Sequence, residues 1–448
     1  MRRSPLTPRH RTVHPVVLFM PLFTALLLSL LAGSLTAQQR SVLRVLSADQ
    51  LTGRTVGDVQ MRELIGNVRM MQDSVLISCD RAIQNITRNS AELRGNVVIR
   101  QDTLELRTER GFYNGDTRLA SSRSGVWLND GHVTLTAKIG TYDTDRKIAD
   151  FVNDVTVEDT AATITARKMR YIRDSSLVVA HDSVRIRFKD ENVLIVSDSV
   201  RHYPDAQRSE FYHDPILWQV DTAYVAYDDY LMEIDSLDLD TLFIAADFML
   251  ALRDSANTFL TEGNVRLVRE GLAARSASAL FHRSDSLIHL RGDPILWYDE
   301  NQITGDSITA QLADNKLRQL DVVGAAFSAS RSKPAESDTL YPPDRFDQTS
   351  GKRIQMFFTD GEAERIRVEE TAISLYYLYD DGALNGVRRE SSDLIIIDFK
   401  DGQVDELRSI RGVEGTYYPE KYVTGSESTY NLDGFEWRED RPVMIPVP

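Results

Sequence analysis

Residues 95–106 read GNVVIRQDTLEL, and this stretch holds the pattern from which the rest of the chain can be understood. Apolar residues alternate with polar ones within it, at Val97 and Ile99 and again at Leu104 and Leu106. Successive side chains of a β-strand point to opposite faces, so such alternation predicts strands that bury one face. The stretch therefore predicts β-structure with one apolar side.

The Gly-Asn-Val that opens this stretch belongs to a repeat with a fixed step. The same triplet, or a related turn sequence, precedes a series of valines: Val68, Val97, Val126, Val155 and Val184. Each of these valines lies 29 residues after the one before it. A constant step indicates a repeat architecture in which every unit buries a face on its neighbours. We interpret Gly-Asn-Val as the start of a strand in each unit.

Two further landmarks recur along the chain. Residues 214–218 read DPILW, and the same five letters return at 293–297. A threonine or serine is followed by a tyrosine in successive units, as in Thr136 and Tyr142 or Thr165 and Tyr171. We interpret the tryptophans of the two DPILW segments as structural residues of a core.

The C-terminal part repeats differently. Residues 358–361 read FTDG and residues 399–402 read FKDG, 41 positions later. Asp-Gly between alternating strands predicts a β-hairpin, because both central residues of a type I′ turn need φ above zero. The polar, proline-bearing residues 328–350 predict a linker or long loop. The predicted organisation is thus a repeat region at 38–327, this linker, and C-terminal hairpin repeats at 351–448.

Residues 1–37 predict a secretory signal peptide. Four arginines precede the apolar run 16–31, and small and polar residues follow it up to Gln38. The run is shorter than the roughly 20 residues of a membrane-spanning helix. We therefore expect a mature periplasmic chain that begins near Gln38. The alternative is an uncleaved anchor in the inner membrane formed by residues 16–31.

The charge balance disfavours nucleic acid as a partner. The formal net charge is −15, and removal of the leader would take away arginines only. Binding to a phosphate backbone requires a basic face, whereas an acidic surface is typical of a solvated, soluble protein. The single cysteine, Cys79, cannot form an internal disulfide, so the folded chain must be held by its own core. We interpret Cys79 as a buried residue.

Sequence motifs of catalysis are absent. The chain has no His-Glu-x-x-His, no phosphate-binding glycine loop and no Gly-x-Ser-x-Gly. Its histidines lack metal-ligand spacing, and the acidic residues between 228 and 240 lack the glycine of a calcium loop. We therefore expect no enzyme activity, no metal and no cofactor.

Three architectures can stack a strand-rich repeat. A leucine-rich repeat needs Leu-x-x-Leu-x-Leu and an asparagine ladder, which this sequence lacks. A parallel β-helix, as in adhesins and polysaccharide-degrading enzymes, fits the step but not the Asp-Gly hairpins. The third is an antiparallel sheet folded over on itself, with an elongated apolar groove inside.

The third architecture is where the sequence resembles a known family. The Gly-Asn-Val segments, the Leu-x-Leu strands and the Thr-Ala-x-x-Gly-x-Tyr segment at 136–142 resemble the OstA-like family over about residues 47–327. This is the family of the periplasmic lipopolysaccharide-transport bridge and of the N-terminal domain of its outer-membrane translocon. The resemblance implies an all-β, elongated antiparallel β-jellyroll, folded like a taco, built from 29-residue repeats. The chain is longer than a compact bridge protein, so its place in the pathway stays open.

The resemblance also implies a function and a set of binding residues. It implies binding of the acyl chains of lipopolysaccharide and their transfer toward the outer membrane, without catalysis. Implied partners are the lipid A part of lipopolysaccharide, other jellyroll proteins paired through edge strands near Val68 and near the C-terminal repeats, and further copies of this chain. The inward-facing lipid-binding set would be Val68, Val75, Ile77, Val97, Ile99, Leu104, Leu106, Val126, Leu128, Val133, Leu135, Val155, Val157 and Ile164. The alternative for these residues is a core filled only by its own side chains.

Overall fold

A computed structural model describes residues 41–447 except 190–191, 228–233, 314–315, 334–341, 381 and 401–402. For 221–227, 234–240 and 403 only the backbone is described. The predicted signal peptide and the alternative anchor at 16–31 lie outside these residues. Among the residues described, no helix is long and apolar enough to span a membrane.

The described part of the chain is built almost entirely of β-strands, all in the unit from Leu43 to Pro448. The first strands are β1 Arg44–Ser47, β2 Gln50–Val56, β3 Val59–Gln72, β4 Val75–Asn85, β5 Ser90–Gln101, β6 Leu104–Asn114, β7 Leu119–Ser122, β8 Val126–Asn129, β9 Thr134–Ala137, β10 Ile139–Asp143, β11 Ile148–Glu158, β12 Ala162–Ile172, β13 Leu177–Phe188, β14 Val193–Tyr203 and β15 Arg208–Tyr212.

The remaining strands are β16 Ile216–Tyr227, β17 Ile234–Ala245, β18 Phe248–Leu252, β19 Thr258–Arg269, β20 Leu272–His282, β21 Leu287–Arg291, β22 Ile295–Tyr298, β23 Asn301–Thr304, β24 Ser307–Ala313, β25 Lys316–Arg331, β26 Phe346–Thr359, β27 Glu362–Asp380, β28 Ala383–Lys400, β29 Gln403–Ile410 and β30 Glu414–Pro419. The helical segments are short: 3-10 turns at Arg173–Ser175 and Glu427–Tyr430, and a single turn α1 at Glu420–Val423.

The strands form one continuous antiparallel ladder. Long strands such as β3, β4 and β5 pair along their whole length with the strands before and after them in sequence. Where a strand is interrupted, its two pieces pair with the same neighbour: β7 and β8 both pair with β6. Every pairing among the described strands is antiparallel, which excludes the parallel β-helix. The predicted all-β antiparallel fold is confirmed.

Each long strand bends near its middle, and the Gly-Asn-Val triplet marks the bend. In β5 the register shifts between Arg94 and Val97, and the two intervening residues, Gly95 and Asn96, have φ of 75° and 45°. Glycine and asparagine tolerate this left-handed region better than other residues. The triplet was predicted to start a strand. Instead it lies inside one, as a two-residue bulge that turns the strand from one sheet direction to another.

The bend divides the ladder into two arms. The first arm holds the part of β3 before its bend, and the second arm holds Val68–Gln72 and the equivalent parts of the other strands. One 29-residue repeat is therefore one hairpin of two bent strands. Apolar residues of both arms, such as Leu64 and Val68, belong to one hydrophobic cluster that runs from Leu43 to Ile397. The core thus lies between the arms.

The bends carry a recurring side-chain clamp. Asn96 Nδ2 donates to Asp80 Oδ2 at 2.9 Å, and Asn264 donates to Asp247 Oδ2 at the same distance. Asp80 stands on the neighbouring strand β4, and Asp247 lies in the break between β17 and β18. At the bends of β11 and β25 other residues with positive φ take the same place, among them Asn153 and Ala325.

The predicted linker and hairpins can be compared with the strands. Strand β25 runs to Arg331 and β26 begins at Phe346, so both ends of the predicted linker 328–350 are strand, and β25 and β26 pair with each other. The hairpin at Asp360 and Gly361 is present, with φ of 52° and 90° and pairing of Thr359 with Glu362. The second predicted turn, at 401–402, lies outside the described residues.

Candidate functional site

The inner face of the second arm carries an unbroken apolar row. Its members are cross-strand partners in successive strands: Met70, Ile77, Ile99, Leu106, Leu128, Leu135, Val157, Ile164, Ile186, Ile195, Leu217, Ile244, Leu267, Ala274, Leu296 and Ile303. We call this the inner row. It crosses the strands at right angles and therefore extends along the ladder.

All fourteen residues predicted to bind lipid lie on this arm and face inward. Seven of them are members of the inner row, and the others, such as Val68 and Leu104, flank it on the same face. None of the fourteen is more than 5% exposed. Their side chains contact other protein atoms rather than solvent, which suits either a closed core or a groove that must open to receive a ligand.

The inner face of the first arm, which faces the second arm across the core, was not predicted from the sequence. Its residues nevertheless recur with the same 29-residue step. Along its inner face tyrosines and alanines alternate as cross-strand partners: Ala91, Tyr113, Ala120, Tyr142, Ala149 and Tyr171. All six are buried. The tyrosines are spaced by 29 residues, and so are the alanines. Alanine carries too weak a hydrophobic signal for a strand to be assigned a buried face from it.

Opposite the bends, the ends of the two arms meet in a ladder of side-chain hydrogen bonds that we call the seam. Its rungs come from four positions on the second arm that are 29 residues apart: Gln72, Gln101, Asp130 and Asp159. Gln72 Nε2 donates to the carbonyl of Gly115 at 2.9 Å. No backbone pairing joins the arms at these rungs.

The next two rungs use tyrosines of the facing arm. Gln101 Nε2 donates to the carbonyl of Thr144 at 2.9 Å, and Tyr142 Oη donates to Gln101 Oε1 at 2.7 Å. Tyr171 Oη donates to Asp130 Oδ2. Burial raises the pKa of Tyr142 to about 12, and burial together with Asp130 raises the pKa of Tyr171 as well. Both hydroxyls therefore stay protonated and act as donors at neutral pH.

The fourth rung joins His202 to Asp159. His202 Nε2 donates to Asp159 Oδ2 at 2.7 Å, and Ser209 Oγ lies 2.8 Å from His202 Nδ1. Burial pushes the pKa of Asp159 upward, but hydrogen bonds and charge from His202, with two backbone N–H donors, outweigh it and leave that pKa below its ordinary value. A small cavity of about 30 Å³ lies beside this rung, lined by Phe188 and Arg253 among others.

The apolar character of the inner row ends in the C-terminal part of the molecule. Beyond Ile303, its cross-strand partners are Ser328, Thr349, Ser374 and Glu390. All four are buried. The long apolar lining of the second arm thus stops at β23, close to the end of the predicted repeat region.

Metal binding and reactive sulfur have little support from the described residues. Within them, no group of three or more histidine, cysteine or acidic side chains is arranged to hold a metal ion. Cys79 is buried, as predicted, and burial raises the pKa of its thiol to about 11. The thiol is therefore protonated and unreactive at neutral pH.

Comparisons with known proteins find a family whose model is similar to the N-terminal repeats. Residues 40–198 match the model of the family described as OstA-like protein. Among solved structures the chain is similar to LptH, the LptA homologous periplasmic component of the lipopolysaccharide transport device of Pseudomonas aeruginosa. That similarity has 17% identity, covers 33% of this chain and 95% of LptH, and has a TM-score of 0.25. No curated protein sequence matches the chain significantly.

Proposed function

Because residues 40–198 carry the OstA-like pattern, we propose that this chain binds the acyl chains of lipopolysaccharide between its two arms and bridges their transport across the periplasm to the outer membrane. The observation that supports this proposal most directly is the inner row. It offers a continuous apolar lining that runs across successive strands. Burial of acyl chains there is favourable by about 25 cal/mol per Å² of apolar surface removed from water.

The binding region would extend from the strands around Met70 to β23. Past Ile303, the polar partners Ser328 and Thr349 take over the same line, and a hydroxyl-lined surface does not favour hydrocarbon. The fourteen residues predicted from the sequence all fall within the apolar part. The C-terminal strands then serve another purpose than holding acyl chains.

The seam provides a way for the lipid to enter. At its four rungs the arms are joined by side-chain hydrogen bonds. In a typical protein such a bond is worth about 0.5–1.5 kcal/mol net between neutral groups and about 1.5–3 kcal/mol where a carboxylate such as Asp130 or Asp159 accepts. The bends, in contrast, are crossed by the covalent chain in every strand. Separation of the arms at the seam would expose the inner row without breaking any strand pairing.

Partners would join through the ends of the ladder. Among the strands described, β1 and β2 pair only with β3 and form the first end, and β29 and β30 pair only with β28 and form the last. Such edges offer free backbone groups to a further strand. An edge strand was predicted from the sequence near Val68. Val68 stands in β3, which has partners on both sides, so the free edge is formed by β1 and β2 instead. We propose other jellyroll proteins or a second copy as the neighbours.

Transport in this scheme requires binding and no chemistry on the lipid. The energy for directional movement would come from other proteins. The mature chain would begin near Gln38 and reside in the periplasm, and the alternative is a chain held at the inner membrane by residues 16–31.

Photo-crosslinking in living cells tests the proposal. A photoreactive residue at Ile99, Leu106 or Leu135 is expected to capture lipopolysaccharide, because these side chains face the interior. The same residue at the outward neighbours Arg100 and Thr134 should capture little, since successive side chains point to opposite faces. Equal capture from both faces, or none from either in a folded protein, would favour a closed structural repeat protein instead.

A second test of the proposed lipid binding places a charge in the interior. Leu106→Asp is expected to block lipid capture at Leu135, because an unpaired carboxylate in an apolar site costs several kcal/mol. Arg107→Asp, one residue away on the outer face, is the matched control. Lipid capture that survives Leu106→Asp would contradict the assigned binding region. A position in the polar continuation, such as Ser374, should capture no lipid in either background.

A further inference from the structure

The outer face of the second arm carries its own row of cross-strand partners in the C-terminal part of the ladder. The partners are Trp218, Phe243, Val268, Ala273, Trp297, Gln302, Ala329, Gln348 and Leu375. We call this row the track. It includes the tryptophans of both DPILW segments, and although it stands on the outside of the sheet, nearly all of it is buried.

From Trp218 to Gln302 the cover is the C-terminal segment 436–445, which we call the strap, whereas Gln348 contacts Asn431 and Leu432. The strap belongs to no strand or helix, yet it lies along the track. Gln302 forms hydrogen bonds with the backbone of the strap on both sides of Trp437. Gln302 Nε2 donates to the carbonyl of Glu436 at 2.6 Å, and the N–H of Arg438 donates to Gln302 Oε1 at 2.7 Å. This is the pairing that a neighbouring strand would make, supplied here by a side chain.

The two tryptophans continue the same mode of contact. Trp297 Nε1 donates to the carbonyl of Arg438 at 3.3 Å, and Trp218 Nε1 donates to the carbonyl of Ile445 at 2.8 Å. The tryptophans stand four strand steps apart, roughly 19 Å at the usual strand spacing. Seven residues of extended chain span roughly 23 Å, so the strap crosses the strands in a nearly extended form.

The strap contributes some of its own apolar side chains. The ring centroid of Trp437 lies 4.8 Å from that of Phe346, and Trp437 packs against the cluster that includes Phe327 and Ala329. Val443 is 78% exposed and Ile445 is 44% exposed, while Met444 packs against the cluster around Trp218 and Phe243. Ion pairs of Arg275 with Asp440 and of Arg331 with Glu439 flank it. The Arg441 guanidinium also donates to the carbonyls of Asp299 and Gly271, at 3.0 Å each. The strap is therefore held both through its backbone, by Gln302 and the two tryptophans, and through its side chains.

We propose that the track is a recognition site for an extended peptide and that the strap is its releasable intramolecular occupant. The side chains that bind the backbone of the strap stand on β16, β22 and β23, and the backbone pairing of these strands does not involve the strap. The site therefore persists when the strap leaves. The ligand class is an extended chain with free backbone N–H and C=O groups, and the occupant assigned to it is the segment 436–445. This inference is independent of the lipid proposal.

A peptide added in trans tests the site in the full-length chain. Residues 436–445 are replaced by a glycine-serine sequence of the same length, and a fluorescent peptide of residues 434–447 is titrated into this protein. We expect saturable binding. The wild-type chain should bind the peptide at least tenfold more weakly, since its own strap is present at a high effective concentration. Absence of binding to the folded replaced-strap protein would overturn the proposal.

Two altered peptides separate backbone recognition from general adhesion. A peptide methylated on the Arg438 nitrogen loses the N–H that contacts Gln302 and should bind at least tenfold more weakly. A peptide with Val443→Ser and Ile445→Ser should bind within about threefold of the native one, because those side chains are exposed. Equal binding of the methylated and native peptides would overturn the assigned mode of recognition.

Hydrogen exchange on the wild-type chain gives a measurement that needs no replaced strap. The Arg438 amide should exchange faster than the paired amides of β22, and Gln302→Met should accelerate it at least tenfold while leaving β22 unchanged. Exchange of Arg438 as slow as that of β22, in both proteins, would mean that the strap is a fixed part of the core and would overturn the proposal.

Discussion

The outer face of the second arm differs between the two halves of the molecule. In the N-terminal half the inner row is apolar, and the outer face carries Arg100, Glu105, Asn129 and Thr134 as cross-strand partners. In the C-terminal half the outer face carries the tryptophans of the track, and beyond Ile303 the inner line turns polar. The ladder therefore buries apolar side chains inside at its N-terminal end and on both faces from β16 to β23. The difference separates the lipid-binding region that we propose from the proposed peptide site.

Truncations at matched positions give the largest expected effects. Phe243→Ala on the track should destabilise its surroundings by about 3–5 kcal/mol, because it leaves a cavity beside Trp218. Thr163→Ala, on the polar part of the same outer face, should change stability by at most about 0.5 kcal/mol. Local opening free energies from hydrogen exchange around β12 and β17 measure both effects. Similar losses at the two positions would contradict the contrast between the halves.

On the inner row and its polar continuation beyond Ile303, the larger loss of stability should fall in the N-terminal half. Leu135→Ala should cost about 2–5 kcal/mol, as is usual for a fully buried leucine. Ser374→Ala, at the polar end of the same line, should be close to neutral, because removal of a buried hydroxyl leaves no cavity of comparable size. The same exchange measurement around β9 and β27 compares them.

The bends are expected to behave alike in both halves. An alanine Cβ at Gly95 would lie 2.4 Å from Asp80 Oδ2, and one at Gly263 would lie 2.3 Å from Asp247 Oδ2. Since φ is positive at both, each Gly→Ala should destabilise by about 1 kcal/mol from the backbone, with an added loss from the contact. Gly125→Ala has positive φ and no atom within 4 Å, so it should show the backbone effect alone. Urea denaturation followed by circular dichroism measures the three.

Acidification should weaken the Asp159 rung of the seam but not the Tyr298 contact in the C-terminal half. This is the smallest of the expected effects. Because the folded pKa of Asp159 is depressed, the stability from its rung with His202 is present above the unfolded pKa of about 3.9 and is lost as pH falls through the folded value. In the C-terminal half, Tyr298 Oη donates to the carbonyl of Gly361, a contact outside the four rungs of the seam. This contact has no group that titrates in that range, since burial raises the pKa of Tyr298 to about 12. Hydrogen exchange between pH 5 and 3 should show faster opening near Asp159 than near Tyr298, and His202→Gln should reduce the difference.

The sequence predicted the N-terminal half well because only one face of each strand is buried there. Alternation around Ile99 and Leu106 then identifies the buried face, and the 29-residue step identifies the repeat. The bend was misplaced at a strand start because Gly-Asn is typical of turns and bulges alike. Periodicity does not tell a two-residue bulge from the end of a strand.

The C-terminal half was harder to predict for a different reason. Strand β22 reads ILWY and is buried on both faces at Leu296 and Trp297, so alternation gives no inward direction. The cover over Trp297 comes from Arg438 and its neighbours, 141 residues later in the chain. A contact between segments so far apart leaves no local pattern in the sequence. The polar rungs of the seam share this property, since Gln101 meets Tyr142 only after the arms fold together.

Because one 29-residue repeat corresponds to one hairpin, the length of the ladder is set by the number of repeats. Each hairpin adds two strands, and hence about 10 Å of reach along the ladder, without altering the cross-section. Removal of the segment between equivalent residues such as Val97 and Val126 would therefore shorten the reach by one such increment and restore the same bend, seam and lining. The reach of the ladder can change only in these steps, by gain or loss of whole repeats.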